Sequence, residues 1–494
     1  MARHDIEPIT LDRLLAGFAT APSVAVPDIT LDSRAVEAGA VFLARQGGKT
    51  HGLQHAPEAL RRGAGAIVYE TVPGFEPPGG PTVPWVAVPV LGERLGEIAG
   101  RYFGTPSTKL RIAAVTGTNG KTTVTHLLAG ALSALSRRAA YLGTIGAGFP
   151  GRLADSRLTT PDVVELNRAL AGFVTAEAEF TALEASSHAL AQRRLAGVRI
   201  QCAALTNLSR DHLDYHGTMA RYRAAKASLF GHEGIEQRVI AVDDDFGREL
   251  AGRYPDAIQV SVGAATPSAP RFVHVTSADF RADGLTFTAT THAGDVALRS
   301  PLLGRFNVAN LAVALGLLLA LDIGPEPAAA ALAGIDAPAG RMRRIQRDRG
   351  PLAIVDYAHT PAALAAVLDA LRPHARGRLV CVFGCGGDRD AGKRAPMAVA
   401  AAAADAIVIT SDNPRSERPQ AIVDAIVAGV PAGRPFDVIV DRYDAIQHAI
   451  TEAGADDIVL IAGKGHEQWQ EIGGERRPFD DAAVALTALA EWVE

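Results

Sequence analysis

Thr116-Gly-Thr-Asn-Gly-Lys-Thr-Thr123 follows the apolar run Leu110–Val115 and precedes the helical stretch Val124–Leu135. A strand, a Gly-rich turn and a helix that opens on Lys-Thr make a cradle for nucleotide phosphates. Backbone N–H groups of the turn (Gly117, Thr118, Asn119, Gly120) and of the helix start (Lys121, Thr122, Thr123) face anionic oxygens. Lys121 adds a point charge, and the Thr122 hydroxyl can ligate Mg²⁺. The commonest P-loop places four residues between its glycines, whereas Gly117 and Gly120 enclose only Thr118 and Asn119. The strand–turn–helix context still points to a nucleoside triphosphate.

Working outward, 494 residues are too many for one core, and two to four domains are expected. A hydrophobic content of 48% and a charged content of 21% fit a globular chain rather than a disordered one. The net charge of −5 comes from interspersed acids and bases, with no basic stripe, so nucleic acid is not an expected partner. Met1–Asp5 opens no apolar signal region, and runs such as Leu311–Leu321 fall short of the roughly 20 residues that span a bilayer. Three scattered cysteines, Cys202, Cys381 and Cys385, read as reduced thiols of a cytoplasmic protein. A monomer is expected.

The first hundred residues alternate short strands (Val41–Leu43, Ala66–Tyr69, Trp85–Val88) with turns, including the loop Pro77–Pro81. Phe103–Ser107 reads as a linker. Strand candidates Phe180–Ala185, Cys202–Leu205 and Val239–Val242 then alternate with helices, the pattern of a parallel sheet. Residues 256–300 carry period-two alternation and read as antiparallel strands before the helix Asn307–Leu321. After Pro338–Arg341 a second α/β pattern runs through Leu352–Asp356, Leu379–Phe383, Ala406–Ile409 and Asp457–Ile461. The Ala-rich run Ala398–Ala404 reads as helix. The expected fold is α/β in three domains: a small N-terminal domain over 1–107, a central, mostly parallel P-loop-type sheet over 108–337, and a Rossmann-like domain over 338–494.

Polar motifs sit at strand ends, where open α/β sheets bind ligands. Glu184-Ala-Ser-Ser-His-Ala-Leu190 offers a carboxylate for Mg²⁺, although a helix cap with a buried partner explains it equally well. Thr206–His216 crowds five Arg, Asp and His side chains into one loop, either a solvated turn or part of a polar site. On physics alone Lys226, in the amphipathic stretch Tyr222–Phe230, is a surface lysine or an ion-pair partner. In the last domain Asp356–Pro361, Phe383–Asp390, Asp412–Arg415 and Gly463–Glu467 each follow a strand, and together they suggest the rim of a pocket for a small polar ligand. The Gly run 384–387 weakly suggests a dinucleotide fingerprint, but its spacing is wrong. A nucleotide-gated binding protein and a dinucleotide oxidoreductase are the rival readings from other classes.

In order along the chain, Thr116–Thr123, Glu184–Leu190, Asn207–His216, Tyr222–Phe230, Asn307–Asn310, Gly340-Arg341 and Asp356–Pro361 resemble the Mur ligases, ATP-dependent amide-bond-forming enzymes of peptidoglycan precursor synthesis. Leu31–Arg34, Thr159–Pro161, Gln192–Arg194 and above all Asp412-Asn-Pro-Arg415 look like the members that add meso-diaminopimelate to a UDP-muramoyl dipeptide. The lysine-adding ligases and the folylpolyglutamate synthetases share part of the plan. One departure is His51-Gly52, where members often carry Asp-Gly.

The resemblance implies ATP and Mg²⁺ as cofactors and small-molecule substrates as partners. It implies that Gly117–Thr123 bind ATP phosphates, joined by Asn307, Arg341 and Asp356, and that Lys121, Lys226 and His212 are catalytic. Thr122, Glu184, His212 and Lys226 (as a carbamate, N6-carboxylysine) would hold Mg²⁺. Leu31 and Ser33 would meet uridine, and Thr159, Thr160, Ser186, Gln192 and Arg194 the muramoyl dipeptide. Arg389, Asp412, Asn413, Pro414, Arg415, Gly463 and Glu467 would hold diaminopimelate. Its distal carboxylate suits the planar fork of Arg415, and Asp412 and Glu467 suit its distal ammonium. With lysine as substrate, a buried Arg415 would be an uncompensated charge.

Overall fold

The computed structural model describes residues 9–48, 50–75, 83–156, 158–263 and 267–493. The N-terminal pentapeptide and the loop Pro77–Pro81 lie outside them. The chain forms two compact units. One is built from the chain up to Val260 with Pro267–Phe272 and Gly316–Ile323; the other from Val273–Leu315 and from Gly324 onward.

The first unit opens with a parallel four-stranded sheet, Ile29–Thr30, Val41–Ala44, Ala66–Glu70 and Trp85–Val88, in that order. The helix Leu91–Tyr102 buries Leu91, Leu95 and Ile98 against it, the spacing of one apolar helix face. Then comes the larger sheet. Its parallel core runs Ala139–Gly143, Phe180–Glu184, Arg111–Thr116, Cys202–Leu205, Gln237–Ala241 and Ile258–Ser261. Two antiparallel strands, Gly146–Phe149 and Arg152–Ala154, extend one edge. The core strands are nearly continuous apolar runs because helices cover both faces. Arg111–Thr116 lies between strands reached by crossovers in opposite directions, so the crevice of a topological switch opens beside its C-terminal end.

Two expectations change here. Ala139–Gly143 is a strand that its sequence, Ala-Ala-Tyr-Leu-Gly, does not announce; pairing with Phe180–Leu183 overrides a composition rich in helix formers. Within 256–300, Ile258–Ser261 is parallel, not antiparallel.

The second unit contains three antiparallel strands, Phe272–Arg281, Gly284–Thr291 and Gly294–Ser300, the first entering from the other unit at Phe272. The helix Phe306–Ala320 follows. Its main sheet has the order Arg343–Ile345, Leu352–Asp356, Ile458–Ala462, Leu379–Phe383, Ala406–Ile409, Phe436–Val438; all neighbours are parallel except the first pair. The four expected strands are present, and their C-terminal ends lie on one edge. A hairpin, Trp469–Ile472 with Glu475–Pro478, turns on Gly473-Gly474, both at positive φ. The Ala-rich run is helix only to Ala401. Among the described residues no helix is long and apolar enough to cross a membrane.

Candidate active site

The phosphate loop is fixed by its neighbour rather than by itself. Thr118 N donates to Asn207 O at 2.9 Å and Asn119 N to Asn207 Oδ1 at 3.0 Å. Thr206 Oγ1 donates to Asn119 O at 2.5 Å. Two turn amides are therefore spent inside the protein, which leaves phosphate binding to the start of the helix Lys121–Ala134, whose first amides have no intrahelical acceptor. Gly117, at φ +151°, allows this approach, because a Cβ there would overlap Thr206 Oγ1. Thr206 and Asn207, just after the strand Cys202–Leu205, thus hold the phosphate loop in shape.

The helix Met219–Ala227 closes the back. Tyr222 is fully buried and its hydroxyl meets Thr118 Oγ1 at 3.0 Å. One turn later Lys226 is only 1% exposed. This overturns the surface-lysine reading, which helix periodicity alone could not exclude. Lys226 Nζ donates to Gly117 O at 2.6 Å, and Lys121 Nζ donates to the same oxygen at 3.0 Å. Burial first, and the Lys121 charge second, pull the Lys226 amine down to about 6. At neutral pH it is mainly the uncharged amine.

Glu184 is fully buried. Its Oε1 accepts from Tyr141 Oη at 2.5 Å and Thr144 N at 2.8 Å; its Oε2 accepts from Thr122 Oγ1 at 2.9 Å and Thr144 Oγ1 at 3.2 Å. All four donors are neutral, and among the described residues no cation lies within ion-pair distance. A buried carboxylate without a countercharge, beside the phosphate-loop hydroxyl, fits a hard divalent cation. Gly143 permits the cluster, since a Cβ would strike Glu184 Oε1. His212 adopts φ +50° and half exposes its ring, 4.8 Å from His188 and 3.5 Å from Asp211. Among the described residues no three His, Cys, Asp or Glu side chains form a ready metal cage.

The residues assigned to the dipeptide form one network. Thr160 Oγ1 donates to Glu184 O at 2.6 Å and accepts from Ser186 N at 3.1 Å. Thr159 Oγ1 meets Thr144 Oγ1 at 3.0 Å. Arg194 binds Thr160 O at 2.6 Å and Gln192 Oε1 at 2.7 Å. Its half-buried guanidinium has only neutral acceptors among these, an arrangement that suits an incoming carboxylate. Ser33 and Leu31 lie in the N-terminal sheet region, where Ser33 Oγ donates to Glu58 at 2.7 Å. His51 Nδ1 accepts from Leu53 N at 3.0 Å, so the imidazole caps the next turn as an aspartate would.

The remaining residues belong to the second unit. Asn307 is spent at the start of its own helix, donating to Leu303 O in the segment before it and accepting from Asn310 Nδ2. Asp356 takes the amides of Met342 and Ala358, and burial raises its carboxyl above the usual range. The Tyr357 phenol, raised by burial, also feels Glu467, Arg341, Asp412 and Arg389, which draws those four groups into one neighbourhood. Arg341 lies 5.7 Å from its ring centroid.

At the strand ends, Asn413 is nearly fully buried, with Nδ2 donating to Glu467 Oε2 at 2.8 Å and Oδ1 accepting from Glu471 N at 3.0 Å. Asp412 Oδ1 caps Asn413 N at 2.7 Å, and Pro414 is buried beside it. Gly463, at φ +123°, avoids Asp412 Oδ2. Arg415, at φ +51°, donates to Gly387 O at 2.7 Å, with Glu471 at 3.9 Å. The argument that Arg415 would be uncompensated without a ligand carboxylate therefore fails: Glu471, on the hairpin, is its partner. Arg389 is exposed on the facing loop.

Three supports escaped sequence reasoning. Lys464 is fully buried against Asn413 and Glu467. Gln470 donates to Asp412 O at 2.6 Å. Arg442 and Asp481 form a fully buried ion pair, and Arg442 also holds Ser411 O and Ala462 O, the carbonyls just before Asp412 and Gly463. Breaking such a pair costs about 3–5 kcal/mol. The glycines flanking Lys464 were a visible signal; nothing local marks Arg442.

Comparison with known proteins agrees with this geometry. Residues 26–103 match the Mur ligase family catalytic domain, 115–318 the Mur ligase middle domain, and 340–465 the Mur ligase glutamate ligase domain. The chain is similar to UDP-N-acetylmuramoyl-L-alanyl-D-glutamate–2,6-diaminopimelate ligase of Pseudomonas syringae pv. tomato, 48% identical with 94% of this chain and 96% of the relative covered. A solved structure of a protein with that name superposes with a TM-score of 0.74 at 37% identity, covering 98% of this chain and 99% of the other. MurF ligase from Thermotoga maritima in complex with ADP shares the fold, with a TM-score of 0.62 at 18% identity over 94% of this chain and 96% of that one. With family models matched through most of its length and a relative at nearly half identity, this chain belongs to the Mur ligase family.

Proposed function

We infer that this chain is the ATP-dependent, ADP-forming ligase that joins meso-diaminopimelate to UDP-N-acetylmuramoyl-L-alanyl-D-glutamate, a step of peptidoglycan precursor synthesis. Relatives of that name align along nearly the whole chain. The observation that supports the chemistry is the pairing of a phosphate loop, whose Gly117 carbonyl meets both Lys121 and Lys226, with a buried, countercharge-free Glu184. Three domains, 1–107, 108–337 and 338–494, hold the UDP-sugar, ATP and the amino acid respectively. The free, buried thiols fit a reducing compartment such as the cytoplasm.

A carboxylate cannot form an amide directly, because oxide would have to leave. The dipeptide carboxylate attacks the γ-phosphorus of ATP, ADP departs, and an acyl phosphate results. The neutral amine of diaminopimelate attacks the acyl carbon; phosphate leaves, and the amine proton passes to solvent. Phosphoryl transfer needs positioning and charge neutralisation. Lys121 swings from its own loop carbonyls to the β/γ-phosphates. Arg194 and Thr160 orient the dipeptide, and the rim around Asn413 and Arg415 orients the amine. Thr122 and Glu184, joined by His212 and a carbamate on Lys226, would hold Mg²⁺. Bound there, Mg²⁺ would supply further neutralisation of phosphate charge. The lowered pKa of Lys226 suits carbamylation: its neutral amine attacks CO₂, an N–C bond forms and one proton is released. The neighbouring Lys121 disfavours an ammonium there and favours the carbamate anion.

The test is phosphate release from ATP with the UDP-muramoyl dipeptide and diaminopimelate together. Release that needs both substrates supports the ligase. Higher kcat/KM with lysine would reassign the amino acid, and no dual dependence would remove the ligase reading.

A further inference from the structure

Lys464 sits between two glycines, is fully buried, and touches no solvent through which a ligand could reach it. Its Nζ donates to Asn413 Oδ1 at 3.0 Å and to Glu467 Oε2 at 3.2 Å, and it faces the Trp469 ring at 5.4 Å. The same Oε2 accepts from Asn413 Nδ2 at 2.8 Å. Three side chains thus close a ring: ammonium to amide oxygen, amide nitrogen to carboxylate, carboxylate to ammonium. Both protein donors converge on one carboxylate oxygen, so Glu467 Oε1 is the oxygen left for a ligand. A buried ammonium is tolerated only where it is paired and hydrogen-bonded, and here the partners are two groups of the amino-acid rim.

We propose that Lys464 is a positioning residue of the amino-acid site, locking Asn413 and Glu467 so that Glu467 Oε1 receives an ammonium of the incoming diaminopimelate. This rests on the diaminopimelate reading. Lys464 acts through its two neighbours, not on the substrate. Without it Glu467 keeps a single side-chain donor, Asn413 Nδ2, and can rotate, while Asn413 Oδ1 is left with the Glu471 amide alone. The loss falls on amino-acid binding, while ATP and the UDP-dipeptide, bound elsewhere, are unaffected.

The experiment measures steady-state kinetics of wild type, Lys464→Met, Glu467→Gln and the double variant. Lys464→Met should raise KM for diaminopimelate by about tenfold or more, the scale of one charge-assisted bond. KM for ATP and for the UDP-dipeptide should stay within about twofold of wild type, and the double variant should lose no more than the worse single one, since the two act as one unit. Unchanged diaminopimelate KM, multiplying losses, or a rise in all three KM values would overturn the proposal. If Lys464→Met does not fold, Lys464→Gln, which keeps a donor, is judged by the same criteria; if both lose the native near-ultraviolet circular dichroism, the residue is a core support and the assignment fails. A wild type with no diaminopimelate-dependent phosphate release would instead remove the functional reading on which this one stands.

Discussion

Around the phosphate loop, two lysines donate to one carbonyl and a buried carboxylate takes only neutral donors. Around the strand ends of the second unit, charges come matched. Lys464 meets Glu467, Arg415 lies near Glu471, and Arg394 meets Glu417. The difference follows the ligands. A triphosphate brings several negative charges and its own cation, and its site offers a lysine at the loop and a buried carboxylate held by neutral donors. Diaminopimelate is a zwitterion with equal numbers of ammonium and carboxylate groups, so a rim balanced in advance can exchange partners without stranding a buried charge.

The largest expected effect breaks the first region. Lys121→Ala should lower kcat for substrate-dependent ADP formation by about 10²–10³-fold or more, with far-ultraviolet circular dichroism unchanged. Near-normal turnover would show that the lysine excess at Gly117 is not there for phosphate.

Lys226 separates charge from chemistry. Lys226→Ala should lose most activity, and a short carboxylate in the buffer should restore part of it if a carbamate is the working form. The pH dependence of stability gives a second handle. In carbonate-free buffer the native amine titrates near 6, whereas the unfolded one titrates at its ordinary 10.5. Between those values the unfolded chain binds more protons, so wild-type stability rises with pH. The melting-temperature gain of Lys226→Met over wild type should be greatest below pH 6 and shrink towards pH 10. A constant gain would rule out a buried, depressed amine.

In the second region, Arg415→Ala should lower kcat/KM for diaminopimelate by about tenfold to a hundredfold. Lysine should gain relative to diaminopimelate, and the UDP-dipeptide KM should barely move. Because Glu471 also loses its partner, Glu471→Gln in that background should recover little for diaminopimelate; full recovery would mean that Arg415 serves the protein and not the ligand. The smallest effect compares both regions at once. Raising salt from low to physiological strength should raise KM for ATP more than KM for diaminopimelate, since screening weakens a net field more than a balanced one. Equal shifts would dissolve the contrast.

Much of the fold was legible in local sequence. Strand, turn and helix at 110–135 are written in residues that touch one another along the chain, and the four strands of the last sheet are continuous apolar runs because both their faces are buried. Ala139–Gly143 was not legible, because its strand state comes from pairing with Phe180–Leu183. The hairpin around Gly473-Gly474 carried a local signal in its paired glycines that went unused.

The sequence by itself determined that a phosphate loop exists, that polar motifs follow successive strands, and which residues of those motifs carry charge. Only the tertiary structure decided what state those charges are in. Lys226 lies 109 positions from Gly117 and becomes a depressed amine because a helix buries it there. Asn413 and Lys464 are 51 positions apart and meet only because their strands lie in one sheet. Desolvation and partner choice depend on distances through space, and those are set by packing rather than by neighbours in the chain.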